Sequence, residues 1–584
     1  MTRSTAARRR WGRWQWLTAG VLVLLIVAPA TAGVRLTVEG APDFLADNIR
    51  AHIDTRVGLT SRLAVRFYRD QVRSQVRQAL EALGYYEADA DIRITPVRGD
   101  WALAVRVTPG PRLSWRRVDV ALTGPGRDDP AFRQLLEALP IRPDQGVNHR
   151  DYERSKRALR NLARQRGYFD YRFTTVRLAV NAAQGWADAR ITMESGPRYR
   201  LGAVRFSDAP LRDEFLQRLV PFKAGAPYHA DRIAELSRRL LDSGYFADAT
   251  VDVLRDKPQG RRIPLAVTLT TRPRNTVTTG IGFSTDEGPR GQLGFTRHYI
   301  NNRGHRLESG LRLSPVRQRL DARYEIPLGD PLNDHLAVTA GWENEDIEDS
   351  RSERYTLGLS RRQSFRSGWV RTQSLRLLEE RFRSGEDRGR SRLLMPGISF
   401  SRTRSRGGVD PYRGDAQRYA IEASARDLGS DVDIARLRLA NNWLRSLGTR
   451  HRFQLRADLG AIATNAFART PTSLRFFAGG DQSVRGFAYR SLGPIGADGE
   501  VTGGRYLATG SAEYSYAVAA DWRAAVFVDG GNAFDHLDAV DVEVGTGVGV
   551  RWQSPVGPLR LDFAWGVSRD QPPFRLHLSL GPPF

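Results

Sequence analysis

Arg485 stands in a Val484-Arg485-Gly486-Phe487 stretch, inside a long turn-rich segment from about Asn465 to Gly504. Downstream, Glu513 alternates in phase with Ser511 and Ser515, and Asp529 with Phe527 and Gly531. A guanidinium facing two carboxylates breaks no bond; its chemistry is bidentate, charge-assisted pairing, which matters most where water is excluded. Gly486 beside it lets the backbone come close to whatever carries the carboxylates. Groups for catalysis are missing. There is no G-x-S-x-G, H-E-x-x-H or phosphate-loop pattern, and the nine histidines lack metal-ligand spacing. Zero cysteines exclude a thiolate zinc site, a cysteine nucleophile and a disulfide framework. Asp529-Gly530-Gly531-Asn532 with Asp535 is a fragment of a calcium loop without its full ligand set. No cofactor is called for, and the chain does not read as an enzyme.

The elements that carry these residues are read from periodicity. From residue 273 onward apolar and polar residues alternate, broken by turn residues, the pattern of successive strands. Val277, Thr279, Ile281 and Phe283 share a face, and Leu559, Leu561, Phe563 and Trp565 oppose Arg560 and Asp562. Phe574, Leu576, Leu578 and Leu580 oppose Arg575, His577 and Ser579. By the same parity Tyr514, Tyr516, Val526 and Val528 face outward, while Glu513 and Asp529 face in. A continuous apolar face opposite a charged one suits a transmembrane barrel, lipid outside and water within. A soluble sandwich would need a packing partner for each apolar face. Residues 273–584 divide into about sixteen antiparallel strands, with ~10 residues of each in the wall. Asn301-Asn302-Arg303-Gly304 reads as a short turn and Glu343 to Glu353 as a longer polar connection. If the first strand rises from the periplasm, the long segment holding Arg485 follows the eleventh strand and lies on the outer side, unless it folds inward.

Before residue 273 a unit of about 80 residues repeats three times. Helical patterns end in Gly84-Tyr85-Tyr86, Gly167-Tyr168-Phe169 and Gly244-Tyr245-Phe246, spaced 83 and 77 residues apart. Each glycine is placed for a left-handed helix cap, returning the aromatics to the core. Gly110-Pro111-Arg112 and Gly196-Pro197-Arg198 mark the junctions, and Thr270 to Arg274 closes the third unit. The unit reads β-α-α-β-β, an α+β module.

At the N-terminus, Arg8-Arg9-Arg10, an apolar run from Leu17 to Ala28 and Ala30-Thr31-Ala32 predict a signal peptide cleaved after Ala32; the alternative is a retained anchor helix. The net charge of +24 raises nucleic acid as a partner. But 86 of the 89 basic residues are arginines spread along the whole chain, so no nucleic-acid site is read.

Together the repeats, the barrel, Val484–Phe487 and the Phe527-x-Asp529-x-Gly531 stretch resemble the BamA/TamA superfamily of outer-membrane assembly proteins. The resemblance implies three periplasmic POTRA modules at 33–109, 110–196 and 197–272, behind a signal peptide at 1–32. It also implies an outer-membrane barrel at 273–584 whose sixth extracellular loop folds into the lumen. Arg485 is then expected to contact Asp529 and Glu513. Three modules with Gly-Pro-Arg junctions are most similar to the TamA-type members. These imply insertion of client barrels such as autotransporters, and a TamB-like, inner-membrane-anchored partner on the first module. The expected exit is a lateral seam of Thr276, Val277, Thr278, Thr279, Gly280 and Ile281 against Phe574, Leu576, Leu578 and Leu580. Pro582 and Pro583, which cannot donate ladder hydrogen bonds, shorten its pairing, and Phe584 departs from the family's closing strand. The alternatives are a two-partner-secretion transporter passing polypeptide through the lumen and a passive porin.

Overall fold

A computed structural model describes residues 34–97, 100–347, 350–408, 410–538, 540–555 and 557–580. The signal-peptide reading, Gly581-Pro582-Pro583 and Phe584 lie outside these residues. The chain falls into two compact units, one up to Arg198 and one from Tyr199 onward.

The first unit holds two modules. In the first, β1 (Val34–Glu39) leads to α1 (Asp43–His52), α2 (Arg62–Glu81), β2 (Asp89–Val97) and β3 (Asp100–Thr108). In the second, β4 (Ser114–Thr123) leads to α3 (Pro130–Glu137), α4 (His149–Arg166), β5 (Arg172–Asn181) and β6 (Trp186–Glu194). In each the last strand is central, parallel to the first and antiparallel to the other. One face of that sheet is covered by helix. Tyr68, Val72, Val76, Ala79 and Leu80 of α2 are buried with Leu103, Val105 and Val107 of β3, each large side chain contributing roughly 1.5–3 kcal/mol. The Ser61 hydroxyl caps α2 by accepting from the Ala64 N–H.

The second unit begins with a third module, β7 (Arg200–Phe206), α5 (Asp213–Gln217), α6 (Ala230–Asp242), β8 (Phe246–Val253) and β9 (Arg262–Thr271), of the same topology. Gly84, Gly167 and Gly244 all take positive φ, from 77° to 91°, which ends the helix and turns the aromatics inward. An arginine then closes each helix end: Arg112 donates to the Leu83 carbonyl and Arg198 to that of Arg166. In the third module this role falls to Arg306, which donates to the Ser243 carbonyl at 3.0 Å. Arg112, Arg198 and Arg306 also lie over Tyr85, Tyr168 and Tyr245. Arg306 belongs to the barrel, so the third module meets the barrel as it would meet a further module.

Sixteen antiparallel strands then close a barrel. They are β10 (Asn275–Ser284), β11 (Gly288–Arg297), β12 (Arg306–Leu313), β13 (Arg317–Pro327), β14 (Asp334–Ile347) and β15 (Ser350–Ser364). Next come β16 (Val370–Ser384), β17 (Asp387–Arg406), β18 (Arg413–Ser424), β19 (Ile434–Leu447) and β20 (His451–Thr464). The wall is completed by β21 (Tyr506–Ala517), β22 (Trp522–Phe534), β23 (Glu543–Ser554), β24 (Gly557–Gly566) and β25 (Phe574–Leu580). The third module holds the turns after β11 and β13. The Tyr245 hydroxyl donates to the Gly304 carbonyl, Arg218 to that of Leu328, and Arg239 pairs with Asp330. Those turns are on the module's side of the barrel, so the segment between β20 and β21 leaves from the opposite rim.

Two expectations are corrected. Glu343 to Glu353 is not a loop: β14 runs to Ile347 and β15 starts at Ser350, with Glu343 opposite Arg354. Its charges are tolerated in strand because they face inward, where Glu343 meets Arg354 and Glu345 meets Arg317 and Arg490. The seam is also displaced. Among the described residues Ser284↔Ser579 is its one ladder pair, against ten for β10–β11 and seven for β24–β25. Continuing that register puts Phe283 opposite Leu580, so Thr276–Ile281 do not face Phe574–Leu580. Barrel stagger sets the first and last strands at different heights.

Candidate functional site

The register of β21 to β25 gathers one polar patch on the inner wall. Ser511 pairs with Asp529 and Glu513 with Phe527; Asp529 with Gly545 and Phe527 with Gly547. Gly549 pairs with Asp562, Arg551 with Arg560, and Asp562 with His577. Because side chains alternate, this row points inward while Val526, Val528, Val548 and Phe563 point outward and are exposed.

The segment between Thr464 and Tyr506 folds into the lumen and lays Val484–Phe487 on this patch, where Val484, Arg485 and Phe487 are buried. Arg485 donates to Asp529 through Nε (2.7 Å) and Nη2 (2.9 Å), a bidentate fork, and its backbone N–H adds a third bond at 3.1 Å. Its Nη1 donates to Glu513 at 2.9 Å and to Asp562 at 3.2 Å. The guanidinium carbon lies 3.4 Å from the centre of the Phe527 ring, a cation–π contact strengthened by exclusion of water. Arg551 and Arg560 complete the set: Arg551 pairs with Glu513 and Asp562, and Arg560 with Glu513. Three guanidiniums therefore balance three carboxylates in a buried network, the condition under which buried charge is tolerated.

Glycines let the loop backbone reach the wall. A Cβ on Gly545 would overlap the Arg485 carbonyl, and one on Gly566 would lie 2.6 Å from Phe487. Gly486 has φ +95°, and its missing Cβ would lie 2.7 Å from the Trp565 carbonyl carbon. Gly531, with φ +137°, turns β22 close against Ala508 of β21. The structure thus brings Arg485 together with Glu513, Phe527 and Asp529. The calcium-loop reading fails because Asp529 is taken up by Arg485 and the Asp535 carboxylate accepts from the Arg505 N–H.

Other members were not singled out by motif. Asp562 and Arg560 read as lumen-facing, but nothing local pointed them at Arg485. The Gly545-x-Gly547-x-Gly549 alternation is a sequence mark of close backbone approach. Arg475, ten residues before Arg485, is also buried, donating to the carbonyls of Thr470, Thr502, Phe467 and Ala468 and to Asp387. Of the seam residues, Val277, Ile281, Phe574 and Leu576 present exposed apolar side chains on the outer face.

With this geometry in view, the sequence matches the Omp85 superfamily domain over residues 269–584. The chain belongs to the Omp85 superfamily. Residues 35–109 match the TamA POTRA domain 1, and residues 199–272 a POTRA domain described as a surface antigen variable number repeat. The outer membrane protein assembly factor BamA of Nitratidesulfovibrio vulgaris is 26% identical over 181 residues, 30% of this chain and 23% of that protein. The chloroplastic outer envelope protein 80 of Arabidopsis thaliana is 32% identical over 117 residues, 18% of this chain and 14% of that protein. The matched region thus spans less than a quarter of the length of either relative. The structure of Haemophilus ducreyi BamA lacking POTRA domains 1–3 superposes with a TM-score of 0.69 at 16% identity, covering 81% of this chain and 99% of that one. This Omp85 protein is an outer-membrane barrel with POTRA domains in the periplasm, each a small mixed three-stranded sheet with helices. Omp85 proteins insert or transport outer-membrane proteins and are not enzymes.

Proposed function

We propose that this chain is a TamA-type translocation and assembly factor that inserts client β-barrel proteins, autotransporters among them, through the seam between β10 and β25. The match of the first module to the TamA POTRA domain 1 supports that branch. On this reading residues 1–32 are a cleaved signal peptide and 33–109, 110–196 and 197–272 are the three modules. A TamB-like, inner-membrane-anchored protein is then the partner of the first. The observation that carries the mechanism is the seam's single ladder pair among the described residues, Ser284↔Ser579. Among the described residues, separating β10 from β25 breaks one ladder pair, against ten for β10–β11 and seven for β24–β25. The freed backbone groups of β10 then template an incoming strand, the logic of β-augmentation. The infolded loop, seated by Arg485, occupies the lumen and argues against an open pore.

The native chain has no cysteine, so a Ser284→Cys/Ser579→Cys pair gives one defined crosslink, between positions whose spacing in a ladder suits a disulfide. Oxidation is expected to stop client assembly and reduction to restore it. Undiminished assembly with the crosslink formed rejects the lateral route and favours passage through the lumen, as in two-partner secretion.

A further inference from the structure

The tip of the infolded loop does more than seat Arg485: it also touches both borders of the seam. On the first-strand side, the Asp481 N–H donates to Asp286 Oδ2 at 2.8 Å; Asp286 lies in the turn between β10 and β11. On the last-strand side, the Gly486 N–H donates to Nε2 of His577 in β25 at 3.2 Å. Across the seam, His577 Nδ1 is 3.8 Å from Asp286 Oδ1. His577 is 3% exposed, and its Nδ1 makes no hydrogen bond among the described residues. With Nε2 accepting from Gly486, the proton of a neutral ring sits on Nδ1, aimed at Asp286. The loop backbone is shaped for these contacts. Gly480 has φ +99°, and a Cβ there would lie 2.7 Å from Asp286 Oδ2.

Among the described residues few other ties hold this border. Beyond Ser284↔Ser579, Thr285 N–H donates to the Leu578 carbonyl (3.1 Å), Leu578 N–H to the Thr285 hydroxyl (3.3 Å) and Arg290 to the Leu580 carbonyl (3.2 Å). The loop's two hydrogen bonds are therefore a large part of what joins the edges among the described residues. Gly486 is the residue after Arg485, so the bond to His577 forms only where Arg485 is seated on Asp529.

We propose that Asp286 and His577 are positioning residues through which the loop straps the seam, so that seating Arg485 and closing the seam are one event. Withdrawal of the loop releases Arg485 from the wall, Asp481 from the first hairpin and Gly486 from the last strand together. Conversely, separation of the edges pulls Asp286 and His577 apart and loosens the loop, because coupling between two sites is reciprocal. The inference rests on the lateral-seam reading for its use, but the strap itself is tested without clients.

Spin labels on Phe283→Cys and Leu576→Cys, both lipid-facing, report the seam distance in the full chain reconstituted in lipid discs. Asp286→Ala and His577→Ala are each expected to raise the separated population about tenfold, the scale of one hydrogen bond to a charged or buried group. Arg485→Ala should do the same, and Asp286→Ala/Arg485→Ala should exceed either single change by little, the mark of one shared event. Asp286→Asn, which keeps the acceptor for the Asp481 N–H, should restore most of the closed population. Heat-dependent gel mobility confirms that each barrel is folded. An unchanged distance distribution in folded Asp286→Ala overturns the strap, as do effects of Arg485→Ala and Asp286→Ala that multiply independently. A seam opened by Asp286→Ala with client insertion unaltered upholds the strap and counts against lateral insertion.

Discussion

Two arginines of one loop, ten residues apart and equally buried, are held in opposite ways. Arg475 donates to four carbonyls of its own loop, and its one carboxylate, Asp387, begins β17 at the rim. Arg485 donates to side chains of three wall strands: Asp529 on β22, Glu513 on β21 and Asp562 on β24. The first arginine shapes the loop; the second places it. A loop that keeps its shape while unplaced can leave the wall and return without refolding, which is what a moving strap needs. Carboxylates suit the second task, because their pairing with Arg485 is strong yet separable as a unit.

This contrast sets an order of effects. Arg485→Ala leaves a carboxylate-rich wall patch without its loop cation, at a cost of about 3–5 kcal/mol. Limited proteolysis should then cut within 465–505 in an otherwise folded barrel, and persistent protection would show that Arg485 does not place the loop. Gly545→Ala should come next. It removes no charge but sets a methyl against the Arg485 carbonyl, so exposure of the loop with every carboxylate intact would assign the effect to backbone approach. Arg475→Ala should be smaller for placement, because the carbonyls it leaves unpaired are those of the loop itself and not of the wall that seats it. It should broaden loop signals in solid-state NMR while the Phe487 contact to Gly566 persists. Loss of that contact would merge the two roles.

Much of this architecture is legible in sequence because it is written in local periods. Alternation placed Glu513 and Asp529 on the inner face, since in a strand parity alone fixes the side. The glycine-aromatic endings gave the modules, since a left-handed cap demands glycine. What was not legible depends on stagger and distance. The seam register joins residues nearly 300 positions apart, and no local signal sets the relative height of β10 and β25. Arg306 takes the place of a Gly-Pro-Arg arginine from within a barrel strand, where no neighbouring motif marks it. Glu343 to Glu353 read as loop because a charged run is polar on both parities, and the lumen partners that accept it are supplied by distant strands. Asp286 and His577 are single residues on separate elements, joined only once the loop has folded in.

The central claim is that clients leave through the seam and not down the lumen. A photoreactive residue at Thr279, on the lipid-facing side of the β10 edge, compared with one at Asn442 on the lumen side of β19, tests this in cells with an assembling client arrested in passage. Crosslinking to Thr279 with little at Asn442 is the expected result. Strong crosslinks at Asn442 with none at Thr279 would contradict it and make the protein a conduit.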